Sequence, residues 1–379
     1  MDPCRQRPQH VGILALELYV PPLKVLQADL EAHDGVPGKY TIGYGQSALA
    51  VCSAREDATS MALTALAHLL RKCGVLPERV GRLDVGSESG NDGAKSIKSS
   101  LMVLFDDSSD VEGGDHKGAC YAGTAALLSA VDWVSGEGWD GRFAAVVLTD
   151  VALYAEPAAR ATGGAGAVAI LVGPDAPLPL HRATVASHCQ NVYDWFKPCG
   201  PLPQVNGNLS VSAYLDSLRT CCQRFCKKAR AQLSGDIDSI DFACLHHPYN
   251  KLVQKGAEQL AHLLPALLTA PGADADHAAE TISQFDDVEP KAKRVKGTFY
   301  DDRVACSTRL GRESGNMFTA SLYACLASVI AAHGSELEGK SVLMYSFGSG
   351  SMSSCFLIKA RAPKDDRWSL SSIATRVCA

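Results

Sequence analysis

The stretch that most constrains the fold runs from Gly118 to Val134 and reads GACYAGTAALLSAVDWV. A cysteine followed by small residues and an apolar helical pattern predicts that Cys120 lies at the start of a buried helix. Unpaired backbone N–H groups and the helix dipole favour a thiolate at such a position, and the thiolate is the reactive form of cysteine. The stretch therefore predicts a nucleophile. The alternative is a small core cysteine at a tight helix entry.

Length and composition indicate a globular α/β protein. With 379 residues, of which 46% are hydrophobic and 20% charged, the chain can bury a large core as one domain or as two fused halves. A net charge of −5 gives no electrostatic footprint for nucleic acid or an anionic membrane. We therefore expect neither as a partner, and any phosphate must be bound by a local basic cluster.

The 14 cysteines are scattered through apolar segments and form no CxxC pair. The N-terminal sequence MDPCRQRPQ has no apolar signal core, and no uninterrupted apolar run is long enough to span a bilayer. These patterns indicate a reducing, intracellular compartment, and we expect a cytoplasmic protein.

Several segments have clear secondary-structure patterns. Residues 10–21 and 142–150 read as buried strands, and Ser53 with Glu56 has the form of a capping box before a helix that ends at Cys73. The glycine-led segment 162–174 continues as a strand, whereas a dinucleotide-binding loop needs a helix after its glycines. This argues against a Rossmann cofactor site.

Two carboxylates follow predicted strands. Glu88 lies near the end of the segment RLDVGSES, and Asp150 ends RFAAVVLTD. In an α/β fold with a mostly parallel sheet the carboxyl ends of strands gather at the functional site, so Glu88 can face the chemistry. For an isolated glutamate the alternative is a solvated acid at a strand end.

The segment 239–255, SIDFACLHHPYNKLVQK, predicts a strand, an abrupt turn at Pro248 and a helix. Either His246 or His247 can be the functional imidazole at the carboxyl edge of the strand. Lys251 and Lys255 are one helical turn apart and share a face that can meet phosphates; otherwise they are solvent-exposed surface lysines.

The remaining segments are predicted as follows. Residues 206–233 turn from a loop into a helix at Ser210, and residues 270–313 read as a polar, partly helical excursion. Asn316 opens a long amphipathic helix over 315–333, where capping alone would explain it. Residues 341–362 form two strands around a glycine turn.

Eight blocks of this sequence, in order and with similar spacing, are those of the hydroxymethylglutaryl-CoA synthase family of the thiolase superfamily, which the chain resembles to about residue 360. They are DGVPGKYTIGYGQ (34–46), GRLDVGSES (81–89), GACYAGTAAL (118–127), TGGAGAVAILVGP (162–174), YDWFKP (193–198), HHPYNKLVQK (246–255), SGNMFTASLY (314–323) and YSFGSGS (345–351).

The resemblance implies a thiolase-like α/β fold with an αβαβα layer order and two similar halves. It predicts a single catalytic unit over 1–379, with halves of about 10–175 and 176–362 and a tail over 363–379. Glu88 and Cys120 fall in the first half, and His246 and Asn316 fall in the second. No internal sequence repeat is evident, so the two-half architecture is an implication of the resemblance.

The resemblance also implies residue roles. The family's catalytic residues match Glu88 as general acid/base, Cys120 as nucleophile and His246 as the functional imidazole, with no metal. Residues matching substrate or coenzyme A contacts are Gly38, Lys39, Thr162, Ser210, Lys251, Lys255, Asn316 and Ser349. Residues matching supporting positions are Asp150, Tyr154, His188, Asp194 and Gly348. The chain departs from the family at Ala122, where relatives have glycine, and at His247, where they have serine.

The expected reaction joins acetyl-CoA, acetoacetyl-CoA and water to give 3-hydroxy-3-methylglutaryl-CoA and CoA through an acetyl-cysteine, in a homodimer of the mevalonate route without a cofactor. Backbone N–H groups of Cys120 and of the glycine turn are natural donors for the enolate oxygen. One alternative is the same condensation on an acetoacetyl group carried by a carrier protein. Another is a non-catalytic thiolase-like scaffold. Thiolases and ketoacyl-carrier-protein synthases share the predicted fold, cysteine and histidine, but they do not use an acid of the Glu88 type.

Overall fold

A six-stranded mixed sheet forms the first half of the computed structural model, which describes residues 7–106, 108–198, 200, 202–232, 240–269 and 298–378. The spatial order of its strands is β5-β4-β6-β7-β1-β8. β4, β5 and β6 are parallel, and β7, β1 and β8 add antiparallel neighbours. The bounds are β1 Gly12–Tyr19, β4 Val80–Gly86, β5 Asp115–His116, β6 Phe143–Ala152, β7 Gly164–Gly173 and β8 Leu178–Pro179. The glycine-led segment thus continues as a strand, as predicted.

A second, four-stranded sheet has the order β12-β13-β14-β9. Its strands are β9 Ala186–Cys189, β12 Phe242–Leu245, β13 Ser341–Gly348 and β14 Met352–Lys359. β13 and β14 form the predicted hairpin around the glycine turn. Two small two-stranded sheets complete the described strands: β2 Leu23–Leu26 with β3 Ala48–Val51, and β10 Trp195–Phe196 with β11 Gln204–Val205.

Helices cover both faces of each sheet. Their bounds are α1 Gln27–Asp34, α2 Ala58–Cys73, α3 Ile97–Leu101, α4 Ala122–Ser135, α5 Pro157–Arg160, α6 Gly207–Gln232, α7 Asn250–Thr269, α8 Arg309–Ser314, α9 Ser321–His333 and α10 Leu370–Cys378. One hydrophobic core joins α4 and α9 to residues of both sheets, so these two helices form the central layer. A second core packs α2 on the first sheet, and a third packs α6 and α7 on the second. The predicted αβαβα order is confirmed.

The helix predicted to be amphipathic over 315–333 is instead buried on all sides from Ser321 to Ile330, because it lies in the central layer. The segment Phe318–Leu337 is long and apolar enough to cross a membrane by length and composition, but 72% of its most apolar window is buried inside the protein. A helix that is apolar all round is typical of a core layer between two sheets. Its hydrophobicity is therefore accounted for by the fold.

Three predicted helix starts were wrong. The helix predicted from Ser210 begins at Gly207. α2 begins at Ala58 and its cap is Asp57, whose side chain accepts from the Ser60 N–H, while Glu56 instead accepts from the Ser53 N–H. The helix predicted from Asn316 begins at Ser321, after a short 3-10 turn. Capping groups one turn apart give similar sequence signals, and tertiary contacts decide which is used. Of the predicted excursion over 270–313, residues 270–297 lie outside the described residues.

Candidate active site

A cavity of about 280 Å³ opens where strands of the two sheets end. Glu88 follows β4, His246 directly follows β12 and Ser349 follows β13. Cys120 reaches the cavity from the turn before α4, and Asn316 reaches it from the segment before α9. Three further residues of the predicted site line the same cavity: Tyr154, Thr162 and Ser210. The fold thus brings together residues from widely separated blocks.

Aromatic rings form much of the remaining wall. Seven aromatic side chains line the cavity: Tyr44, Tyr154, Trp195, Tyr214, Tyr249, Phe318 and Phe347. They come from separate segments, so no local sequence pattern indicated them apart from Tyr154. A mostly apolar wall with a few convergent polar groups is typical of a small-molecule site.

The turn that carries Cys120 is held by backbone packing. Cys120 lies in a 3-10 turn, Ala119–Tyr121, and Ala119 has a left-handed φ of 48° that costs a residue with a side chain some strain. Gly348 at the end of β13 packs directly on this turn: a Cβ there would lie 2.4 Å from the Gly118 carbonyl oxygen and 2.6 Å from the Tyr121 nitrogen. Only glycine fits at 348 without moving the nucleophile.

The Cys120 thiol is not a preformed thiolate. Its burial, followed by the nearby charges of Glu88 and Asp150, raises the pKa of the thiol well above its ordinary value. The expectation that the helix start favours a thiolate was therefore wrong, because desolvation and two carboxyl groups outweigh the helix end. The Cys120 Sγ lies 3.4 Å from Glu88 Oε1 and donates to it, so a base already touches the sulfur.

Asp150 fixes the backbone that presents Glu88. One of its carboxylate oxygens accepts the Glu88 N–H at 2.8 Å and the hydroxyls of Ser89 at 2.8 Å and Ser87 at 3.2 Å. Its other oxygen accepts the backbone N–H and the hydroxyl of Thr319, from the segment before α9. The two serines that flank Glu88 therefore anchor it to a fully buried carboxylate.

Glu88 itself has the environment of an acid/base group. Burial, helped by the charge of Asp150, raises the pKa of Glu88 to about 8. Its Oε2 is buried and has no hydrogen-bond partner among the described residues. Lys197 donates to the Glu88 carbonyl oxygen at 2.8 Å, a contact that the sequence interpretation missed although the lysine lies in the YDWFKP block.

The two adjacent histidines differ in placement. His246 lines the cavity, and burial lowers the pKa of its imidazole to about 3, so the ring is neutral. Its backbone is held at both ends, by the Tyr345 carbonyl oxygen and the Tyr214 hydroxyl. His247 does not line the cavity; it is fully buried against Gly311, and neither of its ring nitrogens has a partner among the described residues.

The Asn316 amide is oriented by its neighbours. Its side-chain oxygen accepts from the Phe318 N–H at 2.9 Å and from the Ser321 hydroxyl at 2.8 Å, and its NH₂ group has two hydrogens to share between the Tyr154 phenol and a ligand. Tyr154 lies beside it, and burial, with the charges of Cys120 and Glu88, raises the pKa of this phenol. Thr162 donates its hydroxyl to the Ala159 carbonyl oxygen at 2.8 Å, the turn contact that the sequence left open.

The basic residues predicted to bind coenzyme A do not line the cavity. Lys39, Lys251 and Lys255 are exposed. The Lys251 N–H donates to the Tyr44 carbonyl oxygen at 2.9 Å, so the loop containing Gly38 packs on the start of α7. Tyr44 and Leu252 line the cavity, so Lys251 is next in sequence to a residue of the cavity wall.

The remaining predicted positions do not line the cavity. Asp194 is buried and accepts the Gly350 N–H at 2.8 Å, which steadies the turn carrying Ser349. His188 lies in β9 opposite Ser353, away from the cavity, and burial lowers the pKa of its imidazole. Ala122 is fully buried at the start of α4 and does not reach the cavity.

Comparisons with known proteins agree over the whole chain. The family models "Hydroxymethylglutaryl-coenzyme A synthase N terminal" and "C terminal" match residues 7–177 and 178–377. The chain is 38% identical to the human "Hydroxymethylglutaryl-CoA synthase, cytoplasmic", covering 98% of this chain and 76% of the relative. It is 40% identical to "Hydroxymethylglutaryl-CoA synthase" of Ganoderma lucidum, covering 94% and 80%.

A solved structure, "MvaS in complex with 3-hydroxy-3-methylglutaryl coenzyme A", superposes with a TM-score of 0.83 at 30% identity, covering 98% of this chain and 89% of the other. Sequence models, relatives and fold thus point to the same group. The chain belongs to the hydroxymethylglutaryl-coenzyme A synthase family.

Proposed function

We propose that this protein condenses acetyl-CoA with acetoacetyl-CoA and water to give 3-hydroxy-3-methylglutaryl-CoA and CoA. The observation that carries the proposal is the meeting of a thiol, a carboxyl group and a neutral imidazole in one cavity. Glu88 Oε1 lies 3.4 Å from the Cys120 Sγ, and His246 lines the same cavity. Family membership and the relatives' names support the substrate class.

In the first step the Cys120 sulfur attacks the acetyl thioester. The new bond joins Sγ to the acetyl carbon, the carbon–sulfur bond to CoA breaks, and CoA leaves as a thiol. Because the pKa of the Cys120 thiol is raised, its proton must be removed during attack. Glu88 is in contact to accept that proton and return it to the leaving sulfur.

In the second step the acetyl methyl group loses a proton and attacks the ketone carbon of acetoacetyl-CoA. The ionised Glu88 takes that proton, and the protonated carboxyl returns it to the alkoxide that forms. A carboxyl group with a pKa of about 8 can act in both directions near neutral pH. The neutral His246 and the Asn316 NH₂ group orient and polarise the acceptor carbonyl.

Water then hydrolyses the thioester between Cys120 and the product, which frees the sulfur and makes the sequence irreversible. The aromatic wall limits the access of water before this step. Lys39, Lys251 and Lys255 are proposed to meet the phosphates of coenzyme A, since they are exposed and lie on two segments, the loop before Tyr44 and the start of α7, that also supply cavity-lining residues.

The wider setting belongs to the same proposal. We infer a homodimer acting in the cytoplasm, in the mevalonate route to isoprenoids and sterols. Support for the compartment comes from relatives named as cytoplasmic forms. The family resemblance supports the dimer and the route, and sedimentation of the purified protein at several concentrations tests the dimer.

The decisive experiment separates the two half-reactions. Purified protein is incubated with acetyl-labelled acetyl-CoA, freed of excess reagent, and then given acetoacetyl-CoA or an acetoacetyl carrier protein. We expect label on Cys120 and its transfer to 3-hydroxy-3-methylglutaryl-CoA with the CoA acceptor. Faster transfer to the carrier protein would move the function to carrier-bound acceptors. No acetylation by any acetyl thioester would support a non-catalytic scaffold.

A further inference from the structure

The backbone of Glu88 is held on both sides by groups of opposite charge. The carboxylate of Asp150 accepts its N–H at 2.8 Å, and the ammonium of Lys197 donates to its carbonyl oxygen at 2.8 Å. The two groups come from different parts of the fold, since Asp150 lies in β6 and Lys197 directly follows β10. A charged hydrogen bond on each side fixes the direction in which the Glu88 side chain leaves the backbone.

Aromatic rings keep the Lys197 ammonium in place. Its Nζ lies 5.2 Å from the ring centroid of Trp195 and 5.6 Å from that of Phe318, and these two rings contact each other edge to face at 5.6 Å. Both rings also line the cavity. Cation–π contacts attract an ammonium to the ring faces, so the two rings hold the Lys197 Nζ beside the Glu88 carbonyl oxygen.

We propose that Lys197 is a positioning residue for the acid/base step: its ammonium aims Glu88 at the sulfur and offsets the negative charge of Asp150. This proposal rests on the proposed function of the same site. Lys197 does not line the cavity and is not given a substrate contact here.

The charges around Glu88 determine what the loss of Lys197 does. Asp150 acts to raise the pKa of the Glu88 carboxyl, while Lys197 and the hydrogen bond from Cys120 act to lower it. The charge of Glu88 also raises the pKa of the nearby Tyr154 phenol, which is therefore neutral. Among the described groups that act on the carboxyl, Lys197 is the cation, so its removal raises the pKa of Glu88 further. Fewer molecules then hold the ionised base at a given pH.

The test compares Lys197→Met, Lys197→Arg and the exposed helix-α6 control Lys227→Met. Each is assayed for acetylation of Cys120 and, with preformed acetyl-enzyme, for condensation between acidic and alkaline pH. For Lys197→Met we expect condensation to fall about 10- to 100-fold, as for a misaimed catalytic group. The rising limb of its pH profile should move to higher pH. Lys197→Arg keeps the charge and a donor, and it should restore both the rate and the profile.

Two results would overturn the proposal. One is a Lys197→Met protein that condenses with the wild-type rate and pH profile. The other is a parallel loss of acetylation, condensation and thermal stability that Lys197→Arg does not rescue, which identifies a merely structural role. Failure of the proposed function is distinguishable, because then the wild-type protein itself neither acetylates nor condenses.

Discussion

The two sides of the cavity are built differently. On the side of the nucleophile, Cys120 and Glu88 contact each other, and Asp150 ties Glu88 to the central layer through buried charged hydrogen bonds. On the opposite side, His246 is neutral, and the Asn316 amide can share its two NH₂ hydrogens between Tyr154 and a ligand. The first side is suited to transfer protons. The second side is suited to polarise a carbonyl group by hydrogen bonding, without a proton transfer.

This difference between the two sides explains how one cavity can catalyse both acetylation and condensation. The pKa of Glu88 is raised to about 8 and that of His246 is lowered to about 3, so at neutral pH one group can exchange a proton and the other holds its neutral form. Each side therefore has a separate role, and substitutions on the two sides should disable different half-reactions.

The largest effect is expected for Cys120→Ser. Loss of the sulfur removes the covalent intermediate, so condensation should fall by at least about 10⁴-fold and no label from acetyl-CoA should remain on the protein. Mass spectrometry of the intact protein measures the label. Cys52→Ser, outside the cavity, is the matched control and should keep both activities. Labelling of Cys120→Ser at the wild-type level would refute the role of Cys120 as the acetylated nucleophile.

Glu88→Ala should separate the half-reactions. Condensation should fall about 10²- to 10⁴-fold because the acid/base group is lost, whereas acetylation should persist at a less reduced rate. Rapid-quench assays of each half-reaction measure the two effects. A variant that condensed normally would refute the acid/base role of Glu88.

The pH dependence of condensation should follow the ionisation of Glu88. Only the carboxylate can take the methyl proton, so with preformed acetyl-enzyme the rate should rise with pH around a midpoint near 8. Below that pH Glu88 is protonated and the base is lost. A rate that is flat between pH 6 and roughly 9 would place the base elsewhere.

On the acceptor side, His246→Ala should weaken the use of acetoacetyl-CoA and leave acetylation close to normal. We expect condensation to fall about 10²-fold, as when one donor to a developing oxyanion is removed. Initial rates at varied acetoacetyl-CoA measure this. His247→Ser, a change at a buried residue that does not line the cavity, is the comparison variant and should have a much smaller effect. An equal loss of acetylation in His246→Ala would remove the distinction between the two sides.

The smallest effects are expected at the lysines proposed to meet coenzyme A. Lys251→Ala and Lys255→Ala should each raise the KM for CoA thioesters about threefold to tenfold with little change in kcat, and added salt should shrink the difference. Lys227→Ala is the exposed control. Unchanged KM values in both variants would exclude these lysines from phosphate binding.

Much of this arrangement could be predicted from the sequence. The strands that lead to Glu88 and His246 have strong apolar patterns, and a functional residue at the carboxyl end of each strand is what an α/β fold predicts. The two strands belong to different sheets, so the meeting of their ends in one cavity was implied by the family resemblance and not by the strand patterns. The protonation state of Cys120 could not be predicted, because it depends on burial and on two carboxyl groups distant in sequence. The contact of Lys197 with Glu88 is also invisible in the sequence, since it joins residues 109 positions apart.

Gly348 joins the second sheet to the turn that carries Cys120, through a contact in which no side chain can adjust. The backbone of β13 packs directly on the backbone of residues 118–121, with no side chain between them. A displacement of the second sheet would therefore displace the Cys120 sulfur as well. Engineering aimed at new acyl substrates should therefore treat residues 118–121 and the β13–β14 hairpin as one inherited unit. Volume for a larger substrate is better sought at cavity-lining rings that hold neither Lys197 nor the His246 backbone, such as Phe347 or Tyr249.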